Sequence, residues 1–296
     1  MSHLRSPDGN FQKTLKSLIV PSLILSSSIK YKMSFSSKTL RQGGVQRLLS
    51  FTLKPLLAAF FVSLIFHWTS KPSPPKTPYA HLTKSLVIAS TKSSNLTWLP
   101  SAYNSHWKPH VYVTDDATAS HTVPLNKGNE AMVYLTYIID HYSTLPDVVF
   151  FHHDHQQAWH QIFSSPYELS HLNPLTIQKQ GYVSPRCLSG CENVIELPGD
   201  VAPLDELKGT RRDVQISSVL HEFMRDGEGR KVKVPEKIAA PCCAQFAVSR
   251  EAILRRSLET WMALRKWLIE TPLDSRSSGR VLEYTWHLWF GMEDVL

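Results

Sequence analysis

The first 76 residues of this 296-residue chain almost lack acidic side chains. They contain 11 Lys or Arg residues and one acid, Asp8, whereas the rest of the chain contains 21 basic and 24 acidic residues. The net charge of +7 is therefore a property of the N-terminal tail. Because a nucleic-acid-binding domain carries its positive charge on the folded part, this distribution argues against nucleic acid as a partner.

Charged residues are also absent from residues 55–68, PLLAAFFVSLIFHW. Extended back to residue 48, this apolar run reaches the ~20 residues that a membrane-spanning helix needs. More basic residues precede the run than follow it, which keeps the N-terminus cytosolic. A cleaved signal peptide or a buried core helix is the alternative. We expect four parts: a disordered basic cytosolic tail over residues 1–47, a transmembrane signal anchor over 48–68, a Pro-rich stalk over 69–81 and a luminal α/β domain over 82–296.

This order predicts a single-pass type II protein of the secretory pathway, in the Golgi or ER membrane, with the C-terminal domain in the lumen. A sequon, Asn95-Leu96-Thr97, follows the stalk and is a predicted glycosylation site. Cysteine is scarce but even in number, which favours disulfides that tie a CxxxC segment to a CC segment. A zinc site is the alternative, although this spacing fits no common zinc motif. The four residues are Cys187, Cys191, Cys242 and Cys243.

Short apolar runs alternate with a helical pattern from residue 84 onwards. KSLVIAS, HVYVTDD and DVVFF are typical of buried strands, and Met132, Leu135 and Ile139 recur at helical spacing between the last two of these strands. Asn129 is predicted to cap that helix. Strand–helix–strand order predicts an α/β fold with a mostly parallel sheet and flanking helices. Such sheets bind their ligands at the carboxyl ends of the strands.

Polar side chains follow the predicted strands at that edge. The candidates for ligand binding are Asp115, Asp116, Asn126 and Asn129. The stretch FFHHDHQQAWH ends the third strand, and an extended chain would put His153 and His155 on one face. His160 or His287 would complete a set of metal ligands, because imidazole suits zinc, iron or copper.

Two glutamates are the candidate catalytic residues, each expected to orient or assist an imidazole. Glu130 begins the helix after the second strand, and Glu283 lies one turn before His287 on a helix predicted over residues 279–291. We expect His153→Ala and His287→Ala to abolish ligand or metal binding. The alternative is that these histidines have a structural role only and satisfy hydrogen bonds at strand and helix ends.

Four separated blocks of the sequence resemble a fungal family of proteins of unknown function, domain of unknown function 3431. They are LVIAST, LNKGNEAMVYLTYIIDHYSTLPDVVFFHHDHQQAWH, CCAQFAVSREAI and SGRVLEYTWHLWFG. The resemblance covers nearly all of residues 82–296. Its Phe-x-His-x-His pattern, followed by Trp-His, falls on Phe151, His153, His155, Trp159 and His160. Asp154 occupies a variable position of that pattern.

The order of elements also resembles, more distantly, the nucleotide-sugar glycosyltransferases of the GT-A type. That resemblance implies a nucleotide-sugar donor, a glycan or protein acceptor, and a divalent metal ion bound by an Asp-x-Asp and often by a later His. The Asp-x-Asp is absent here, since His-His-Asp-His stands at the end of the third strand. A catalytically silent luminal or cell-surface binding protein is one alternative. The other is a hydrolase whose metal is bound by His153, His155 and His160.

Overall fold

The computed structural model describes residues 81–158, 161–185, 192–197, 199–226, 229–241 and 243–296, without the side chains of residues 192 and 193. Within these ranges no helix has the length and apolar character needed to cross a membrane. The predicted tail and anchor lie outside the described residues, as do residues 69–80 of the predicted stalk. The last stalk residue, His81, is described. Their assignment stays a prediction.

Seven strands form two sheets in the described part of the chain. Their bounds are β1 Lys84–Ser90, β2 Lys108–Val113, β3 Val148–His153, β4 Tyr182–Val183, β5 Glu192–Glu196, β6 Lys237–Pro241 and β7 Phe246–Ser249. The main sheet has five strands in the order β2-β1-β3-β7-β4, and β5 pairs with β6 in a separate antiparallel ribbon. The three predicted strands are thus confirmed, and DVVFF is central because β3 lies between β1 and β7.

The described helices pack on both faces of the main sheet. Their bounds are α1 Pro100–Asn104, α2 Glu130–His141, α3 Ser165–His171, α4 Pro174–Gln180, α5 Arg212–Phe223, α6 Arg250–Ile253, α7 Leu258–Glu270, α8 Ser275–Glu283 and α9 Trp286–Trp289. Short 3₁₀ turns lie at Tyr142–Thr144 and Leu204–Glu206. Ser249 caps α6 by accepting a hydrogen bond from the Ala252 N–H, which anchors the start of that helix.

The main sheet is mostly parallel. β1 runs parallel to β2 and to β3, with Leu86 opposite Phe150 in the second pair. β7 runs antiparallel to β3 and to β4, so β4 points in the same direction as β3. The chain therefore has a mixed α/β fold with a mostly parallel central sheet and flanking helices, as expected of strands that are apolar on both faces.

Alternation along β3 divides the interior into two clusters. Phe151 joins a large core with α2, α7 and α8 on one face, and Phe150 joins a smaller core with α1 and α3 on the other. Both rings are fully buried. Each contributes about 2–3 kcal/mol by burial. The same alternation directs the next two residues, His152 and His153, to opposite faces.

The C-terminal helix is interrupted, contrary to the single helix predicted over residues 279–291. α8 ends at Glu283, and α9 begins at Trp286. The Thr285 hydroxyl donates to the Val281 carbonyl at 2.8 Å and accepts from the Trp289 indole at 2.9 Å. A threonine that bonds back to the preceding turn in this way bends or ends a helix. Glu283 and His287 therefore do not share one continuous helical face.

Candidate functional site

The carboxyl ends of β1, β2 and β3 meet at one edge of the main sheet, as predicted. β3 ends at His153, which lies on the α2 face of the sheet and is followed by Asp154 and His155. The rings of His153 and His155 are 6.2 Å apart, centroid to centroid. The structure thus brings this predicted histidine pair together at the sheet edge.

Glu130 is the acidic partner of His153. It is the first residue of α2, and its Oε1 lies 3.7 Å from Nε2 of His153, with 32 % and 13 % of the two side chains exposed. Burial among protein atoms raises the pKa of Glu130, its own backbone N–H opposes this by hydrogen bonding, and the negative charges of Glu283 and Asp154 add to the increase; the net pKa is about 7. A carboxyl group that titrates near neutrality is suited to proton transfer.

A strained turn presents Glu130 at this edge. Gly128 and Asn129 both have positive φ, +74° and +52°, and the Gly128 N–H donates to the Ser275 hydroxyl at 2.9 Å. The predicted cap by the Asn129 side chain is wrong, because it makes no capping hydrogen bond. A capping side chain reaches the helix N–H groups from an extended backbone, and Asn129 is in the left-handed region instead.

Close packing of α8 against the same turn brings the second glutamate into range. A Cβ on Gly279 would lie 2.8 Å from the Gly128 carbonyl oxygen, so only glycine allows this approach. Glu283 ends α8, and its charge acts on Glu130. The two predicted catalytic glutamates therefore interact electrostatically, although 152 residues lie between them in sequence.

The Glu283 carboxyl group interacts with its own helix and with two other segments. Burial raises its pKa, whereas Arg280, the backbone N–H of Cys243 and Arg212 oppose that shift. Cys243 itself has φ +76°, a conformation that costs a non-glycine residue about 1–3 kcal/mol. The strain is local to the segment that donates to Glu283, and backbone strain of this kind tends to accumulate at functional sites.

Asp154 joins the loop after β3 to the loop after β1. Its Oδ2 accepts a hydrogen bond from the Ser94 hydroxyl, and its carbonyl accepts from the Trp98 indole at 2.8 Å. Its Oδ1 also lies 3.2 Å from Nδ1 of His155. Sequence reasoning gave Asp154 no role because the family pattern leaves its position variable. Its proximity to Glu130 depends on the fold.

His287 occupies a different environment from the one predicted. Its ring is fully buried in α9, with Nε2 3.3 Å from the Asp294 carbonyl oxygen, and burial lowers its pKa. Within the described residues it makes no contact with His153. α9 does not continue the helix that carries Glu283, because α8 ends at that residue.

The candidate ligand-binding residues after β2 form their own small network. The backbone N–H of Lys92 donates to Asp115 Oδ1 at 2.8 Å, and the Lys92 ammonium lies 3.5 Å from Asp116 Oδ2. Hydrogen bonds from Thr118 lower the pKa of Asp116. Asn126 is exposed on the following loop. These groups share the carboxyl edge with Glu130, but they belong to the edge strand.

The metal and disulfide predictions depend partly on residues that the structure does not describe. His160 lies outside the described ranges, as do Cys187, Cys191 and Cys242. Across the described ranges, no group of three or more His, Cys, Asp or Glu side chains could hold a metal ion. The imidazoles and carboxylates at this edge face one another in pairs, Glu130 with His153 and Asp154 with His155. The predicted glycosylation site, Asn95, is exposed.

A family model described as "Protein of unknown function (DUF3431)" matches residues 86–296. No curated protein and no solved structure matches the chain.

Proposed function

This chain belongs to the DUF3431 family, and from that premise we propose that its carboxyl-edge site transfers a glycosyl group from a nucleotide sugar to a hydroxyl group of a glycan or protein acceptor. Glu130 acts as the general base and His153 positions its carboxylate. Asp115 and Asp116 bind the donor. The domain is held in the lumen of the secretory pathway by the predicted anchor.

One observation carries the proposal: the Glu130 carboxyl group has a pKa of about 7, 3.7 Å from His153, at the ligand-binding edge of the sheet. A general base works best when its pKa lies near the operating pH. Its position on the first residue of α2 fixes the carboxylate on a rigid element, where the packed turn at Gly128 holds it in place.

The proposed reaction forms one bond and breaks one. The acceptor oxygen attacks the anomeric carbon of the sugar, and its proton passes to a Glu130 carboxylate oxygen. The bond between the anomeric carbon and the diphosphate oxygen breaks, and the nucleoside diphosphate leaves with the electron pair. Arg280 and Arg212, whose positive charges already act on Glu283, supply the cationic field that a departing diphosphate requires.

A divalent metal ion is the cofactor that the GT-A resemblance implies. The described donors do not fit a magnesium site, because imidazoles dominate the end of β3 and each described carboxylate there already has a partner. No step above is therefore routed through a metal ion. Metal analysis of the purified protein, and of a His153→Ala variant, tests whether a metal is bound through the imidazoles.

The decisive experiment measures release of nucleoside diphosphate by the full-length protein from a panel of nucleotide sugars, with and without added Mn²⁺. We expect turnover with at least one donor, and a fall in kcat of at least ~100-fold in Glu130→Gln. Glu236→Gln is the matched control, because Glu236 is 86 % exposed and its ion pair is with the exposed Lys233. Donor binding without turnover in the wild-type protein would contradict the transferase proposal and favour the catalytically silent binding protein.

Location has its own test. In the lumen, Asn95 would carry a glycan, and Thr97→Ala would remove it with the same gain in gel mobility as enzymatic deglycosylation. A protein whose mobility does not change with either treatment, and whose C-terminus is cleaved by protease outside intact microsomes, would reverse the proposed orientation.

A further inference from the structure

The amino edge of the main sheet, opposite the site described above, contains a cavity of about 590 Å³. It opens where β1 and β2 begin, beside the last residue of α2 and the first residue of α6. Glu130 and His141 occupy the two ends of α2, which places them about 17 Å apart along the helix axis. The cavity is thus separate from the carboxyl-edge site.

Basic side chains dominate the polar lining of this cavity. They are Lys84, His106, Lys108, His110, His141 and Arg250. No acidic side chain is among its described lining residues. Asp147 lies close by, but its Oδ2 accepts two hydrogen bonds from Thr83 and its Oδ1 lies 3.2 Å from Arg250. The cavity therefore has an excess of positive charge.

Lys108 is the basic side chain of this lining that is most available to a ligand. It is exposed at the start of edge strand β2, and it forms no ion pair within the described part of the chain. Lys84, by contrast, donates to the Ser105 carbonyl at 2.7 Å and lies over the Trp107 ring. An entering anion would gain its strongest new contact from Lys108.

His110 gives a second, independent indication of a ligand. Its side chain borders the cavity and is only 6 % exposed, and among the described residues its Nδ1 has no hydrogen-bond partner, while Nε2 lies 3.3 Å from the Ser85 hydroxyl. A buried polar atom without a partner is costly. Burial, with the neighbouring charges of His141, Lys108 and His121, lowers the pKa of His110 to about 4, so the imidazole is neutral and the anion would meet it as a hydrogen-bonding group.

We propose that this amino-edge cavity binds a phosphate-bearing small molecule through Lys108, His106 and His141, with His110 at its floor. A phosphate group offers several acceptor oxygens and more charge than a carboxylate, which suits the Lys108 ammonium together with imidazole rings that can donate hydrogen bonds. The volume is within the range of ordinary small-molecule pockets, so it holds more than a bare phosphate ion. The same phosphate chemistry is available from a soluble metabolite or from a lipid headgroup.

Titration calorimetry of the full-length protein with inorganic phosphate tests the site. We expect saturable binding that weakens about tenfold in Lys108→Ala and also in His106→Ala, since both residues are exposed and their loss does not disturb the core. Lys233→Ala is the matched control, because it removes an equal charge from a side chain that is 84 % exposed elsewhere. Glu130→Gln should leave phosphate binding unchanged, which separates this site from the proposed transferase activity.

Cosedimentation with phosphatidylcholine vesicles, with or without a phosphoinositide, distinguishes the sources. Binding of free phosphate assigns a soluble ligand, and binding only to the phosphoinositide vesicles assigns a lipid headgroup, provided that Lys108→Ala weakens that binding about tenfold. Absence of both, equal binding by Lys108→Ala and the wild-type protein, or an equal loss in Lys233→Ala would overturn the proposal.

Discussion

Two consecutive histidines on β3 form the same contact in two different surroundings. His152 Nε2 lies 3.7 Å from Glu168 on one face of the sheet, and His153 Nε2 lies 3.7 Å from Glu130 on the other. The first pair is buried, with 0 % and 4 % of its side chains exposed, whereas the second pair is exposed to 13 % and 32 %. The chemistry and the distance are equal, so the surroundings alone distinguish the pairs.

The buried pair is enclosed by groups that hold it in place. Trp98 and Phe150 pack on the His152 ring, and its Nδ1 lies 2.6 Å from the His153 carbonyl oxygen. Gln161 donates to Glu168 at 3.5 Å. The pair at the sheet edge instead opens to solvent beside two further carboxylates. The comparison teaches that a histidine–glutamate contact on a strand predicts a site only when one face of the pair is accessible to a ligand.

Alanine substitutions should separate the two histidines most clearly. We expect His152→Ala to lower the free energy of unfolding by about 3 kcal/mol, because it removes a fully buried ring. His153→Ala should cost less than ~1 kcal/mol and yet lower kcat, because the Glu130 carboxylate loses the imidazole that positions it. Denaturant unfolding and the nucleoside diphosphate release assay on both variants provide the check. Equal losses of stability in the two variants would contradict the distinction between the buried pair and the exposed pair.

The pH dependence of the rate and of stability should further distinguish the exposed pair from the buried one. Because the pKa of Glu130 is raised to about 7, the rate should rise as pH increases through 7 and its base form appears. Stability should move the other way: the folded protein holds the Glu130 proton more tightly than the unfolded chain does, so this contribution is complete below about pH 4.5 and is lost as pH rises through 7. Glu130→Gln should abolish the acidic limb of the rate profile and flatten this part of the stability profile. An unchanged limb would assign the base to another residue.

The packing that supports the exposed pair can be weakened from a distance. Gly279→Ala places a methyl group 2.8 Å from the Gly128 carbonyl oxygen, so we expect a loss of about 1–3 kcal/mol of stability. Because α8 would move from the turn, the influence of Glu283 on Glu130 should weaken and the kinetic pKa should fall below 7. Arg276→Ala, an exposed change on the same helix, is the control. A stability equal to that of the wild-type protein would show that the turn at Gly128 accommodates the added methyl group without cost.

Local pattern was sufficient for most of the elements around the site. The apolar runs of β1 and β3 and the helical spacing of α2 identify those elements, and Pro272 follows directly after the end of α7 and its C-cap residue, Thr271. The parallel order of β1, β2 and β3 follows from the helix-length connections between them. Hence the carboxyl edge, and with it the pairing of His153 and His155, could be predicted.

The features of the site that could not be predicted depend on contacts between residues that are distant in sequence. Nothing near residue 130 in the sequence indicates that Glu283 raises its pKa, since that coupling requires α8 to pack on the Gly128 turn. The break at Thr285 accompanies the hydrogen bond that its hydroxyl donates back to the Val281 carbonyl, and the apolar periodicity of the segment does not reveal this bond. The single helix predicted over residues 279–291 was wrong for that reason, and the contact of Asp154 with Ser94 could not be predicted because the two residues are 60 positions apart in sequence.

The central position of β3 also restricts how this sequence can change over evolution. Side chains alternate along a strand, so a deletion of one residue between Val148 and Phe151 would exchange the faces of all residues that follow it or force the strand to slip against β1 and β7. His153 would then enter the buried pocket at Glu168, and the carboxylate at residue 130 would lose its imidazole. Lineages that keep both pairs should therefore keep the length of this strand even where its apolar residues vary.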